Sequence, residues 1–284
     1  MPTDNLQQQR FELKYIVRES VATNVREFVR SYLEVDEFGA THPNLSYPVH
    51  SLYLDSDQLV CYWQTVNGNK NRYKLRIRYY DSKPDSPVFF EIKRRVNDAI
   101  LKQRGSVRRG RVESLLAGHL PAPADLIKPA SAKDLVALQR FSQLMQENQA
   151  RPKAHVSYLR EAWISPHNNA VRVTMDRDVT CESEPAVRFS TSMTRPTRVF
   201  GNQVVLELKF TGRYPDWFGE LVRVFNLVQC SAAKYADGVV LLGEPLLTGS
   251  GGVAPVGEQS LENLASRKEF LKNAAAGTFN PSFA

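Results

Sequence analysis

Charges fall at every second residue in five short segments of this chain. Arg10, Glu12 and Lys14 alternate with Phe11, Leu13 and Tyr15, and Lys74, Arg76 and Arg78 alternate with Leu75, Ile77 and Tyr79. Glu91 and Lys93 oppose Phe90 and Ile92; Arg172, Thr174 and Asp176 oppose Val171, Val173 and Met175; Glu207 and Lys209 oppose Leu206, Leu208 and Phe210. Successive side chains of a β-strand point to opposite faces. Read as strands, all five have one charged and one apolar face.

One antiparallel sheet with a solvated face accounts for any one of these segments. It accounts poorly for five, because their polar faces are built mostly of Arg, Lys and Glu placed in mid-strand. A closed barrel with an ionic lumen fits better, its apolar outer face wrapped by helices. Two like charges about 4 Å apart repel by roughly 4 kcal/mol at an effective dielectric near 20. A crowded cationic lumen therefore expects a bound polyanion, and Arg with its planar fork and Lys with its point charge both suit phosphate.

The rest of the chain reads as α+β. Strand patterns cover about 10–17, 47–55, 73–80, 88–95, 153–165, 170–180, 186–190 and 203–211, separated by turn-rich stretches such as Asn67-Gly68-Asn69. Helical spacing covers 20–33 behind a Ser20 cap, then 111–118 and 131–147, 215–226, and a short helix near 231–238. Residues 1–245 read as a single domain with a helical insertion at about 111–150. The stretch 246–284, rich in Gly, Ser and Ala, reads as a flexible tail with one short helix at 260–273.

Composition excludes several classes. The 284 residues are 42% hydrophobic, enough for a substantial core, and carry a net charge of +7. No stretch approaches the roughly 18 apolar residues of a membrane span, and the opening residues hold no apolar signal core, so the expected location is the cytoplasm. Cys61, Cys181 and Cys230 are far apart and odd in number, which predicts reduced, mostly buried thiols. His42, His50, His119, His155 and His167 sit in no motif and read as structural or surface residues.

In order along the chain, RFELKY, LYLD, KLRIRYY, FFEIKRR, YLREAW, VRVTMD, VLELKF and AAKY run from about residue 10 to 240. Together they resemble the polyphosphate polymerase (VTC, vacuolar transporter chaperone) domain of the triphosphate tunnel metalloenzyme, or CYTH-like, superfamily. The resemblance implies an antiparallel tunnel of about eight strands that transfers the γ-phosphate of ATP onto a growing polyphosphate chain, with Mn²⁺ or Mg²⁺. It also implies site residues. Arg76, Arg78, Lys93, Arg160, Arg172 and Lys234 would act on the transferring phosphate; Lys14 and the Tyr158 hydroxyl would bind it. Glu207 is the first candidate for the metal.

Other positions follow from strand parity or local sequence. Arg10, Lys74 and Lys209 share the charged faces and are further phosphate candidates. Glu12, Glu91 and Asp176 either hold a divalent cation together with substrate phosphates or pair with neighbouring Arg and Lys. Lys102 and Arg104, read as a turn after the Glu91 strand, either guard a tunnel mouth or are solvated. The chain has Arg10 where hydrolytic tunnel enzymes have the first Glu of an ExExK opening, which favours synthesis. It has Ala233 where the family tends to have Ser, so a hydroxyl contact is lost or supplied by Ser231.

The expected partners are ATP and inorganic polyphosphate or phosphate, with a separate membrane partner left open. A tripolyphosphate or nucleoside-triphosphate hydrolase on the same fold is the second reading, and a non-catalytic module binding polyphosphate or inositol phosphates the third. Nucleic acid is disfavoured: it calls for exposed basic stripes with stacking aromatics, whereas the aromatics here lie mainly opposite the charges.

Overall fold

The computed structural model describes residues 10–166, 170–248 and 257–277. Its strands are β1 (Arg10–Val17), β2 (Glu34–Val35), β3 (Ser46–Asp55), β4 (Asn71–Tyr79), β5 (Val88–Val96), β6 (Ala99–Val107), β7 (Arg151–Ile164), β8 (Val171–Ser183), β9 (Thr197–Arg198) and β10 (Val204–Thr211). Eight of them close a ring in the order β7, β3, β4, β5, β6, β1, β10, β8 and back to β7, every neighbour antiparallel. The two-residue strands β2 and β9 extend β7 and β8. The seam between β6 and β1 is held, among the described residues, by the single pair Arg10 and Ile100.

The helices are α1 (Glu19–Val29), α2 (Glu37–Ala40), α3 (Val60–Val66), α4 (Val112–Leu116), α5 (Ala132–Glu147), α6 (Asp216–Val224), α7 (Lys234–Leu242) and α8 (Glu258–Ala276). Helix α5 shows why the outer face is dry. Ser131 accepts a hydrogen bond from the Asp134 backbone at its start, and Ala137, Leu138, Phe141, Leu144 and Met145 recur at helical spacing. These pack on Leu75, Ile77, Phe90 and Ile92, the apolar partners of the charged positions on β4 and β5. Burying a side chain of this size contributes about 1.5–3 kcal/mol. Gly105 of β6 permits the contact, since a Cβ there would meet the Asp134 carbonyl oxygen at 2.8 Å.

Helices α1 and α6 cover Leu206, Leu208, Val173 and Met175 in the same way. Helices α3, α7 and α8 close one end of the barrel around Tyr53, Tyr62, Tyr235 and Phe270.

Several expectations differ from the structure. Residues 99–107 form β6 rather than a turn, because Asn97, with φ of 52°, and Asp98 make a two-residue hairpin that returns the chain beside β5. Residues 186–190 form no strand; Phe189 has φ of 49° and packs its ring edge-on against Tyr79. Helix α1 starts at Glu19 behind Arg18, so Ser20 is not its cap, and it ends at Val29. Helix α3 escapes the sequence reading because it has little more than one turn of apolar spacing.

The stretch after residue 245 is more ordered than its composition implies. Helix α8 buries Phe270, Leu271 and Ala274 against the barrel end, and Arg267 donates two bonds of 2.6 Å to Asp237 of α7. That apolar stripe is narrow and set among charges, which hides it from a reading of composition.

Candidate functional site

The ring encloses a cavity of about 1220 Å³. Cross-strand register places the charges around it. Lys14 lies opposite Glu207, Glu12 opposite Lys209, and Lys209 opposite Arg172. Lys74 lies opposite Lys93, Arg76 opposite Glu91, and Glu91 in turn opposite Arg104. Tyr47 lies opposite Arg160, which lies opposite Asp176. With a side-chain period of two, residues paired in register share one face, so alternation along each strand becomes a lumen with charge on all sides.

Three carboxylate nodes hold most of these cations. Glu91 is fully buried; Arg76 donates to it at 2.8 Å, Lys102 Nζ lies 2.7 Å away, and Arg104 and Arg78 approach to 3.5 and 3.9 Å. Asp176, equally buried, takes two bonds of 2.7 Å from Arg160 and lies 2.7 Å from Lys234. Glu207 accepts from Lys209 at 2.5 Å, Lys234 at 2.9 Å and the Thr174 hydroxyl at 3.2 Å.

Burial alone would push these carboxyls up. At Glu207 the charges of Lys209, Lys234, Lys14 and Arg160 outweigh it and hold the carboxyl well below the usual range. At Glu91 the same reversal comes from Arg78, Arg76 and Lys102, and at Asp176 from Arg160 and Lys234. All three stay ionised at neutral pH.

The fourth lumen carboxylate, Glu12, pairs with Lys93 at 2.9 Å and Lys14 at 3.2 Å. Lys14 also donates to the Ala232 carbonyl at 2.7 Å. Arg172 donates to Asp36 Oδ2 at 2.8 Å, the atom to which the Tyr47 hydroxyl also donates, at 3.0 Å. The Tyr158 hydroxyl accepts from Arg78 at 3.0 Å.

A second group of cations has less support. Lys74 has no carboxylate partner among the described residues, and burial, with Lys14 and Lys93 close by, brings its ammonium down to about 7. Arg10 Nε and Nη2 and Arg78 Nε are buried without hydrogen-bond partners. Burial and the neighbouring Arg172 lower the Arg10 guanidinium from its ordinary value.

Most sequence-predicted positions therefore meet in one place. Arg10, Glu12, Lys14, Lys74, Arg76 and Arg78 line the cavity from β1 and β4; Lys93, Tyr158, Arg160, Arg172, Glu207 and Lys209 line it from the other strands; Ser231 and Lys234 line it from the turn before α7 and its first residue. Glu91 and Asp176 lie beneath the arginines and do not face the cavity directly. Ser231 is exposed and Ala233 lines the cavity, so no hydroxyl stands at position 233 itself. Lys102 and Arg104, read as turn residues, belong to the β6 face of the lumen. Their period-two spacing is present in the sequence, but Gln103 between them, neither charged nor apolar, breaks the alternation that marks the other strands.

One smaller correction concerns aromatic side chains, whereas the described histidines and the cysteines lie as expected. Tyr47, Tyr53 and Tyr158 share the lumen with the charges, while Phe90 and Phe210 keep to the opposite face. His50 and His155 form a buried pair at 3.0 Å, His42 and His119 are exposed, and His167 lies outside the described residues. The three cysteines are buried and unbridged. Among the described residues no group of three His, Cys, Asp or Glu side chains converges on one point.

Comparison with known proteins identifies the family. The VTC domain matches residues 9–242. Vacuolar transporter chaperone complex subunit 2 of Schizosaccharomyces pombe is 26% identical over 133 residues, 45% of this chain, and those residues span only 18% of that protein. Among solved structures, a putative adenylate cyclase from Bacillus halodurans is 15% identical, with a TM-score of 0.44 over 80% of this chain and 94% of the other. A putative adenylyl cyclase from Hippeastrum, described as having a dominant triphosphatase activity, is 12% identical, with a TM-score of 0.46 over 84% of this chain and all of the other. Both structural likenesses are loose, and the tunnel fold stands on the barrel's own topology. The match to residues 9–242 covers most of the chain, which therefore belongs to the VTC domain family.

Proposed function

We propose that this chain is a metal-dependent polyphosphate polymerase, transferring the γ-phosphate of ATP onto an inorganic polyphosphate chain within the lumen. The observation that carries the reading is a surplus of cations in an enclosed cavity whose carboxylates are already neutralised. Arg10 and Arg78 carry buried donors without partners, and Lys74 has no carboxylate beside it among the described residues; a chain of phosphates supplies the missing acceptors and counter-charge. Membership of the VTC domain family narrows the polyanion to polyphosphate and its triphosphate donor.

The residues divide by the family resemblance and by strand parity. Arg76, Arg78, Lys93, Arg160, Arg172 and Lys234 would act where charge develops on the transferring phosphoryl group, and Lys14, Arg10, Lys74, Tyr158, Lys209 and Ser231 would hold the flanking phosphates. Phosphoryl transfer asks chiefly for in-line positioning and for cations on the equatorial oxygens. The acceptor phosphate is already an anion, so no protein base has to remove a proton from it. The salt bridges to Glu91 and Asp176 fix the rotamers of Arg76 and Arg160 before substrate arrives, which lowers the entropy lost on binding.

The carboxylates fit Mn²⁺ or Mg²⁺ in one arrangement. Such ions take oxygen ligands, often one or two carboxylates with phosphates and water completing the shell. Glu207 and Glu12 meet that need, facing the cavity from the adjoining strands β10 and β1, whereas Glu91 and Asp176 are spent on buried arginines. When bound there, the ion would draw charge from the phosphate oxygens. No described helix is long and apolar enough to cross a membrane. The relative named as a complex subunit supports a separate partner that collects the polymer.

Incubating the protein with ATP and Mn²⁺ and resolving the products on a gel tests this reading. Chains of many phosphates support it; orthophosphate alone makes the chain a hydrolase. Triphosphate binding without turnover makes it a binding module. Glu207→Gln is expected to cost at least about 100-fold in turnover and to spare tripolyphosphate binding.

A further inference from the structure

Phe38 is 58% exposed, among the most exposed large apolar side chains described. It sits on the short helix α2 at the rim of a cavity that is otherwise dominated by cations. Its ring is parallel to that of Tyr80, with 5° between the planes and centroids 6.4 Å apart, and lies 5.7 Å from Tyr47. Tyr47 and Tyr80 are themselves 6.4 Å apart. Three rings thus gather at one mouth of the lumen.

Phosphate cations adjoin this group. Tyr47 lies directly opposite Arg160 across β3 and β7, and Tyr80, just past the end of β4, follows Arg78 by two residues and lines the same cavity. Glu37, exposed and lining the same cavity, offers an acceptor for a hydroxyl or an amine. The other mouth is different. Helices α3, α7 and α8 cover it, and Arg72, at the opposite end of β4, and Arg95 line a second cavity beneath them, with Lys70 on its rim and, among the described residues, Phe270 of α8 the one aromatic ring in its lining.

A bare polyphosphate gives three clustered rings nothing to bind, whereas a nucleotide carries a flat base tied to its phosphates. We propose that Phe38, backed by Tyr80 and Tyr47, is the stacking platform for the base of the nucleoside triphosphate. The platform gives the tunnel a direction, with the donor held at the aromatic mouth and the phosphate chain extending toward Arg72 and Arg95. It rests on the lumen being a triphosphate site, as proposed above. Base–aromatic stacking tolerates any base, because each has a π face, so the platform selects nucleotides over polyphosphate rather than adenine over guanine.

Calorimetric titration of the full chain with ATP and with tripolyphosphate, both with Mn²⁺, tests the proposal, using Phe38→Ala and Phe38→Trp. The expected result is ATP binding weakened about tenfold in Phe38→Ala and restored in Phe38→Trp, with tripolyphosphate changed by less than about twofold in either. Equal losses for both ligands, or no loss for ATP, overturn the platform while leaving the lumen reading intact. Failure of the unsubstituted protein to bind either ligand overturns both. Exposure of Phe38 keeps the substitutions compatible with folding, and an unchanged thermal midpoint verifies it.

Discussion

Arg160 and Asp176 face each other across β7 and β8 and share two hydrogen bonds of 2.7 Å, with Lys234 of α7 on the second carboxylate oxygen at 2.7 Å. Asp176 is fully buried, so it balances two cations that have no water to do so. Breaking such a pair by removing one partner costs about 3–5 kcal/mol. Asp176→Asn should lower stability by that amount in urea unfolding, and added tripolyphosphate should recover more of it than it adds to the unsubstituted protein. Unchanged stability, or a smaller gain from tripolyphosphate, would show that the carboxylate is not the counter-charge.

Lys74 predicts a proton linked to phosphate binding. Its folded value of about 7 lies below the 10.4 of an unfolded lysine. Between those values the unfolded chain binds more protons, so this group makes the fold more stable as pH rises through the window. A phosphate beside it restores its charge. Tripolyphosphate binding at pH 8 should therefore take up protons, read as a dependence of the measured enthalpy on the buffer's ionisation enthalpy, and affinity should fall from pH 7 to 9. The uptake should shrink in Lys74→Met; equal uptake in that variant contradicts the assignment.

His50 and His155 make an acid-sensitive point remote from the lumen. Their ring nitrogens lie 3.0 Å apart, and the Tyr79 hydroxyl is 3.0 Å from His155 Nε2 while donating to the Ser190 carbonyl. Burial brings His50 down to about 4 and, with the charge of His50 added, His155 to about 3. The unfolded histidines titrate near 6.5, so the stability is present above that value and is lost as pH falls toward 4. The loss is up to about 1.4 kcal/mol per pH unit for each histidine. Urea midpoints at pH 7 and pH 5 should differ, and less so in His155→Gln; a flat profile in the unsubstituted protein rules the pair out.

Gly238 sets the distance between α7 and β8. A Cβ there would meet Cys181 Sγ at 2.6 Å and Cys181 Cβ at 2.8 Å. Gly238→Ala should cost about 1–3 kcal/mol through overpacking, and because α7 begins with Lys234 it should also weaken tripolyphosphate binding. A variant as stable as the parent would mean that the helix shifts freely and that Lys234 is not positioned by this contact.

Much of the barrel is legible because period-two alternation survives in the sequence wherever a strand has one charged face. β1 is read with its observed bounds, and β3, β4, β5 and β10 to within two residues. What escapes has a physical reason in each case. β6 carries Lys102 and Arg104 at the right spacing, but Gln103 and Gly105 weaken its apolar face, Gly105 because α5 packs there closely. Phe189 gives an apolar signal by filling a gap beside Tyr79 without joining a ladder. The lumen cations can be picked out by parity, yet parity does not separate Glu91 and Asp176, which anchor arginines, from Glu207 and Glu12, which reach the cavity. That difference arises from depth, which only the closed ring sets.

The central claim is that phosphate is bound and transferred inside this ring. A crystal structure with a non-hydrolysable ATP analogue and Mn²⁺ tests it most directly. The account predicts the triphosphate within the lumen, its oxygens within hydrogen-bonding distance of Arg76, Arg160 and Lys234 and the metal on Glu207. A triphosphate bound outside the barrel, with the lumen salt bridges undisturbed, would contradict it.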